Sequence, residues 1–319
     1  MSSIIEQATR RLEELKRAGI EVPNWDMGTP AQAPRSPQPQ PQRPARPEHQ
    51  AEPAAERSMP QVRPLGAGNS LVQVGQRQSR SVELDLAQMA AAGYLVPGAA
   101  RSTLADEFRA IKQPVLKNAR PDANAPIHLG NLIMVTSALP AEGKTFCALN
   151  LALSMASEVD SSVLLVDADV VRPALLERLG LAGSYKGLMD LLSEPGLDLS
   201  EVILKTDVPK LSVIPAGTPR PNATELLASS TMEQLLRDIS SRYADRIVVF
   251  DAPPLLPTTE SRVLAARMGQ ILMVVNEGVT SRTDLTQAYA TLQACPIVLS
   301  MLNRSTSPLE RQQYGYAGL

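Results

Sequence analysis

The sequence predicts an α/β fold with a doubly wound, mostly parallel β-sheet. Two observations lead to this prediction. Several short runs are apolar at almost every position, and segments with helical periodicity separate them. Strands that are apolar on both faces are typical of a parallel sheet covered by helices on both sides. Regular alternation of strands with helices is typical of doubly wound domains.

The predicted elements form one domain that covers residues 81–310. The apolar runs predicted to be strands are 131–136, 163–167, 211–215, 247–251, 271–275 and 297–302. The clearest helical periodicities lie at 144–157, 223–243 and 282–294. The sequence shows no internal repeat, so we expect a single sheet domain.

An amphipathic helix is predicted at residues 1–20. Apolar residues recur at helical spacing from Ile4 to Leu15, and Ser3 with Glu6 forms a capping box. A helix of this length is marginal alone in water. We therefore expect it to dock, either on the domain or on a partner. A frayed helix without a role is the alternative.

A disordered linker is predicted at residues 21–80, and a tyrosine-containing tail at residues 311–319. Eleven of the 27 prolines lie between Pro23 and Pro64, among Gln, Ala, Arg and Ser. Proline removes a backbone donor, and this stretch has too few large apolar residues to offset the entropy of ordering it.

The composition argues against several classes of protein. The 31 basic and 33 acidic residues give a net charge of −2, without the positive excess typical of nucleic-acid binding. Two cysteines, Cys147 and Cys295, and two histidines are too few for a disulfide framework, a Cys-rich zinc site or a multi-His centre. No run approaches the ~20 apolar residues of a transmembrane helix. Residues 1–10 lack a signal-peptide pattern, so we expect a cytoplasmic chain with no transmembrane segment of its own.

A phosphate-binding loop follows the first of these strands. Residues 137–145 read SALPAEGKT, the Walker A pattern G-x-x-x-x-G-K-[ST] with Ala138 in place of the first glycine. Backbone N–H groups of such a loop and the N-terminus of the next helix bind phosphates. Lys144 is expected to contact the β- and γ-phosphates, and the Thr145 hydroxyl to bind Mg²⁺. The alternative is a chance Gly-Lys-Thr at a helix start, which two further motifs disfavour.

Two strands that end in aspartates supply the acidic groups of a phosphoryl-transfer site. One runs into Asp167 and Asp169, and the other ends at Asp251 before Ala-Pro-Pro. Doubly wound folds bind ligands at the carboxyl ends of their strands. Asp251 is the Walker B candidate, acting on Mg²⁺ through water. Asp167 and Asp169 lie two apart, so strand geometry would aim both the same way, one toward the metal and one toward an incoming hydroxyl. Aspartates that only cap the strand ends are the alternative.

Together these motifs resemble the bacterial tyrosine kinases, a P-loop NTPase family with Walker A, A′ and B motifs. The segment 167–173 looks like the family's A′ motif, 251–254 like its Walker B, and 221–229 like the segment after the middle strand. Residues 1–20, 84–97, 104–117 and 131–146 are similar to tyrosine autokinases of exopolysaccharide loci with the PEP-CTERM/exosortase system. Those are relatives of the CpsD/CapB-type capsule-synthesis kinases.

The resemblance implies ATP and Mg²⁺ as cofactors and protein tyrosine as the acceptor. It implies catalytic roles for Lys144, Asp167, Asp169 and Asp251, and metal binding by Thr145, Asp169 and Asp251. The nucleotide contacts that it implies are Ala141, Glu142, Gly143, Lys144, Thr145, Phe146, Asn303 and Arg304, the last two at the base.

The resemblance also implies assembly. The family's oligomerisation motif E-x-x-R-x-x-R aligns with Asp106, Arg109 and Lys112, although lysine cannot make the bidentate contacts of arginine. In the implied ring, Tyr314 and Tyr316 are phosphorylated in trans. A membrane-anchored polysaccharide chain-length or export protein would activate the kinase and hold it at the inner membrane.

Two other functions compete with an autokinase. ParA/MinD-like positioning ATPases carry an extra lysine early in the phosphate loop, where this chain has Leu139, and no C-terminal amphipathic helix is evident here. A catalytically inactive scaffold conflicts with the presence of Lys144, Thr145 and the three aspartates.

Overall fold

The computed structural model describes residues 79–119, 127–242 and 246–306. Contacts divide the chain into two units, Met1–Asn69 and Ser70–Leu319, and every described residue lies in the second. The predicted N-terminal helix, nearly all of the predicted linker, and Tyr314 and Tyr316 lie outside the described residues.

Eight strands of the described chain form one sheet in the order β1-β4-β5-β3-β6-β2-β7-β8. The strands are β1 (Arg80–Val82), β2 (Leu132–Ser137), β3 (Ser162–Asp167), β4 (Leu204–Thr206), β5 (Leu211–Ile214), β6 (Arg246–Asp251), β7 (Gln270–Asn276) and β8 (Ile297–Asn303). Neighbouring strands are parallel except for the β4–β5 pair. The mostly parallel sheet predicted from the apolar runs is therefore confirmed.

Ten helices connect these strands within the described residues. They are α1 (Leu86–Ala91), α2 (Thr103–Ala119), α3 (Lys144–Ala156), α4 (Leu175–Arg178), α5 (Leu188–Ser193), α6 (Leu199–Val202), α7 (Ala223–Ala228), α8 (Ser230–Arg242), α9 (Thr259–Ala265) and α10 (Arg282–Ala290). None of them is long and apolar enough to cross a bilayer.

Helices cover both faces of the sheet, as a doubly wound fold requires. Side chains alternate along β2, so Leu132 and Met134 join one buried cluster and Ile133 and Val135 join the other. The first cluster receives α5 to α10, and the second receives α1 to α4. Every residue of β2 is buried, because apolar helix faces cover it from both sides.

The structure differs from the predicted elements at several boundaries. The predicted helix 223–243 is two helices, because Ser229 adopts an extended ψ of 160° and ends α7. The last long helix ends at Ala290 rather than at residue 294. Strands β1 and β4 were not predicted, since three residues are too few to show a period, and Arg80 of β1 falls inside the predicted linker.

Three adjacent central strands bring the predicted motifs to one edge of the sheet. In the sheet, β6 lies between β3 and β2. Asp251 is level with Asp167 on one side and with Val135 on the other. The aspartates therefore lie beside the loop that follows β2.

Candidate active site

The phosphate loop connects β2 to α3 through a left-handed turn. Gly143 has a φ of +95° and precedes the first helical residue, Lys144. The left-handed backbone conformation favours glycine there, and a Cβ would also displace the Asn303 side chain, whose Nδ2 lies 2.2 Å from the Cβ position. Ala141 also has a positive φ, of +64°.

The first turn of α3 presents backbone N–H groups that can bind an anion at the phosphate loop. The N–H of Cys147 donates to the carbonyl of Gly143 at 2.9 Å. This is the first hydrogen bond of the helix. Lys144, Thr145 and Phe146 come before Cys147 in the first turn, where backbone N–H groups have no intrahelical acceptor. Together with the positive end of the helix dipole, they form an anion-binding site.

Lys144 and Asp169 form an ion pair at the start of α3. The Lys144 Nζ lies 2.9 Å from the Asp169 Oδ2, and the two side chains are 14% and 5% exposed. Strand β3 ends at Asp167, so strand alternation does not aim Asp169 as expected. Asp169 lies in the turn after the strand, where its Oδ1 accepts a hydrogen bond from the Arg172 N–H at 3.0 Å.

Asp167 is held by two backbone donors at the end of β3. Its Oδ1 and Oδ2 accept from the N–H groups of Asp169 and Leu175, each at 3.2 Å. Burial is the main cause that raises the pKa of Asp167 to about 8, and the negative charge of the neighbouring Asp251 is the second cause. This carboxylate is therefore fixed in place and more basic than an ordinary aspartate.

Asp251 is fully buried, and neither of its carboxylate oxygens has a hydrogen-bond partner of adequate geometry in the described chain. Burial raises its pKa to about 7, although Lys144 and the nearby Thr145 hydroxyl act to lower it. A buried carboxylate without donors is costly unless a cation compensates its charge. Asp251, with Thr145 and Asp169 beside it, therefore fits the Mg²⁺ that the motif implies.

A set of contacts that the sequence did not predict fastens the phosphate loop to strands β7 and β8. The Glu142 Oε2 accepts from the Leu139 N–H at 2.7 Å, and the Glu142 carbonyl accepts from the Asn303 Nδ2 at 2.9 Å. The Thr280 hydroxyl donates to the Glu142 Oε1. Thr280 is 138 residues away in sequence, so no local signal could have identified it.

The remaining predicted nucleotide contacts lie around the same loop. Phe146 packs on the Tyr94 ring, with centroids 5.2 Å apart. Arg304 follows Asn303 at the end of β8, is exposed and has a φ of +57°. Contact of Asn303 and Arg304 with a base stays a prediction.

The three residues predicted to mediate oligomerisation lie on α2 but differ in exposure. Arg109 is exposed and Asp106 is half-buried, and the two form an ion pair at 2.6 Å. Lys112 is 4% exposed, and its ammonium contacts the Glu158 carboxylate and the Ser154 carbonyl, each at 2.7 Å. Lys112 thus ties α2 to α3 within one chain, whereas Asp106 and Arg109 face outward. Oligomerisation through this helix stays a prediction.

A cavity of about 900 Å³ lies apart from the phosphate loop. Its lining includes Tyr94, Arg109, Lys112 and Leu153, and none of residues 138–145. This cavity is therefore separate from the predicted phosphate site.

Comparison with known proteins identifies the family. The AAA domain family model matches residues 132–297, which is more than half of the chain. Tyrosine-protein kinase YwqD of Bacillus subtilis is 29% identical over 187 residues, which cover 58% of this chain and 77% of YwqD. Tyrosine-protein kinase wzc of Salmonella typhimurium is 30% identical over 191 residues, which cover 58% of this chain and 26% of wzc. The chain thus spans about a quarter of the length of wzc.

A solved structure supports the same assignment. The BceF tyrosine kinase domain superposes with a TM-score of 0.52 and 29% identity, and the match covers 62% of this chain and 76% of that chain. The residues that the AAA domain model matches contain the phosphate loop and both aspartate-bearing strands described above. The chain therefore belongs to the AAA domain family, and the relatives and the solved structure that it resembles are bacterial tyrosine-protein kinases.

Proposed function

We propose that this chain is an ATP-dependent autokinase that phosphorylates tyrosines of its own C-terminal tail in trans and thereby regulates exopolysaccharide synthesis or export. One observation carries this proposal. Lys144, Asp167, Asp169 and Asp251 converge at the carboxyl edge of the sheet beside an anion-binding helix N-terminus. Phosphoryl transfer depends on such positioning and charge stabilisation more than on covalent chemistry by the protein.

The phosphate loop would bind the nucleotide. Lys144 leaves its ion pair with Asp169 for the β- and γ-phosphates, and the first N–H groups of α3 bind phosphate oxygens. Thr145, Asp169 and Asp251 would hold Mg²⁺, which when bound neutralises charge on the phosphates. The bound Mg²⁺ would compensate the negative charge of the buried Asp251 carboxylate, which is costly to bury alone.

Asp167 would act on the acceptor. A tyrosine hydroxyl has a pKa near ~10 and is a weak nucleophile at neutral pH. A carboxylate within hydrogen-bond reach of that hydroxyl can orient it and accept its proton as the phosphoryl group transfers. Its two backbone hydrogen bonds keep it oriented, and each oxygen retains a lone pair for the hydroxyl.

The acceptors in this proposal are Tyr314 and Tyr316, presented by a neighbouring subunit of a ring. Each phosphate adds about −1.5 to −2 charges. A phosphorylated tail is therefore repelled by the catalytic aspartates, and the ring loosens. Asp106 and Arg109 form an outward-facing ion pair on α2 that is available for contacts between subunits. A membrane-anchored polysaccharide chain-length or export protein would activate the kinase and keep it at the cytoplasmic face of the inner membrane.

Mass spectrometry after incubation with Mg-ATP tests the kinase assignment. Wild type should carry phosphotyrosine at Tyr314 and Tyr316, and Lys144→Ala should carry none. Undiminished phosphotyrosine in Lys144→Ala would remove the phosphate loop from the mechanism. ATP hydrolysis without any phosphotyrosine would instead favour a positioning ATPase.

Light scattering on the same samples tests the assembly switch. Wild type should be oligomeric with Mg-ADP and monomeric after phosphorylation. The double variant Tyr314→Phe/Tyr316→Phe should stay oligomeric after Mg-ATP. Identical masses for the two proteins, together with loss of phosphorylation in the variant, would refute the switch and leave the kinase assignment intact.

A further inference from the structure

We propose that Thr280 is a positioning residue for the phosphate loop. Its hydroxyl fixes the carboxylate of Glu142, and Glu142 in turn holds the loop in the conformation that binds phosphate. Thr280 lies in the turn between β7 and α10, outside every motif of the sequence. The inference rests on the proposed nucleotide binding and adds a residue to it.

Glu142 is the centre of this arrangement. It is 2% exposed although it lies in the loop that receives phosphate. Its Oε2 accepts from the Leu139 N–H at 2.7 Å, which closes the loop on itself. Its Oε1 accepts from the Thr280 hydroxyl. Both oxygens are therefore engaged with donors.

The Thr280 hydroxyl is itself held in one orientation. Its oxygen accepts from the Asn276 N–H at 2.9 Å, and the Thr280 N–H donates to the Asn276 carbonyl at 3.0 Å. With a donor on its oxygen, the hydroxyl directs its hydrogen to Glu142. Asn276 is the last residue of β7 and is level with Asn303 of β8. The Asn303 Nδ2 donates to the Glu142 carbonyl at 2.9 Å, so β8 and the turn after β7 hold the same loop residue.

A carboxylate at this position is unfavourable unless it is restrained. A negative charge beside a triphosphate repels it, and the repulsion is strong where water is excluded. The two hydrogen bonds keep the Glu142 carboxylate turned toward Leu139 and Thr280. Without the Thr280 hydroxyl, one buried oxygen loses its donor, and the charge is free to turn toward the phosphate site.

Three variants of the full chain separate this role from general stability. Thr280→Val removes the hydroxyl at nearly constant volume, and Thr280→Ser retains it. Thr286→Val is the matched control, because the Thr286 residue on α10 is exposed and, among the described residues, its hydroxyl donates to the Arg282 carbonyl of its own helix. Affinity is measured with a fluorescent ADP analogue and Mg²⁺. Loop protection is measured by hydrogen exchange of a peptide covering residues 138–146 without nucleotide.

Thr280→Val should raise the dissociation constant of the ADP analogue about tenfold and speed exchange of the loop peptide. Thr280→Ser and Thr286→Val should match wild type in both measurements. In a Glu142→Ala background, Thr280→Val should have no further effect, since the residue acts through Glu142.

Unchanged affinity and unchanged exchange in Thr280→Val would overturn the inference. Equal weakening by Thr280→Val in the Glu142→Ala background would also overturn it. If wild type bound no nucleotide, the proposed function would fail, and exchange of the loop peptide would still decide the role of Thr280.

Discussion

Replacement of Asp251 by asparagine should stabilise the protein when nucleotide and Mg²⁺ are absent, and the gain should grow with pH. The Asp251 carboxylate is buried without hydrogen-bond donors in the described chain, and its pKa is raised to about 7. An unfolded aspartate has a pKa of ~3.9. Between these two values the folded chain binds more protons than the unfolded chain, so its stability falls as pH rises.

The size of the effect follows from the two pKa values. The folded pKa of Asp251 is about 7 and its unfolded pKa is ~3.9. By linkage, this difference lowers the free energy of unfolding by at most ~1.5 kcal/mol at pH 5 and ~4 kcal/mol at pH 8. Asparagine does not titrate. The difference in unfolding free energy between Asp251→Asn and wild type should therefore grow by up to ~2.5 kcal/mol over this range.

Urea denaturation at pH 5, 6, 7 and 8 with EDTA and without nucleotide measures this difference. The denaturation midpoint of the variant should exceed that of wild type increasingly with pH, at unchanged m-value. Addition of Mg-ADP should stabilise wild type more than the variant, because the bound cation compensates the charge of Asp251.

Asp190→Asn is the matched control, because Asp190 is also buried but has the opposite pKa shift. Burial alone would raise its pKa, yet donors from Gly187 and Thr218 and the charge of Arg220 lower it overall. A lowered pKa contributes stability above the unfolded value that is lost as pH falls through the folded value. Asp190→Asn should thus destabilise at pH 7. A midpoint difference for Asp251→Asn that is flat or shrinks with rising pH would refute the argument.

Three further substitutions test other parts of the site. Lys144→Ala should abolish autophosphorylation and leave the far-ultraviolet circular dichroism unchanged; retained phosphotyrosine would contradict the loop assignment. Asp167→Asn should reduce phosphate transfer to tyrosine at least ~100-fold, in line with loss of a general base, with little change in ATP affinity. Equal losses of both would make Asp167 a metal-binding residue. Lys112→Met should lower the unfolding free energy by about 1–2 kcal/mol, since it removes two contacts between α2 and α3. An unchanged denaturation midpoint would contradict that structural role.

Much of the active site could be predicted because its signals are local. The motif lies within residues 132–145: a strand, a loop that contains glycine, and Lys-Thr at the start of a helix. Its glycine matches the left-handed conformation that the structure shows at Gly143. The strands ending at Asp167 and Asp251 were predicted from their short runs of apolar residues, because a parallel sheet buries both faces of its strands.

Other features follow from the tertiary structure. The contact of Thr280 with Glu142 joins residues 138 positions apart, and the burial of Lys112 depends on its pairing with Glu158, which lies just after the end of α3. The raised pKa of Asp251 depends on burial and on neighbouring charges from separate segments.

The residue types of the site are thus determined by short segments of sequence, whereas their pKa values are determined by the assembled sheet. Local patterns identify the strands, the loop and the residue types, since periodicity and backbone sterics act over a few positions. Placing β6 between β2 and β3 sets Asp251 level with Asp167 and removes both from water. The charges that act on each aspartate depend on distance in space and on exclusion of solvent, and neither quantity exists until the chain has folded.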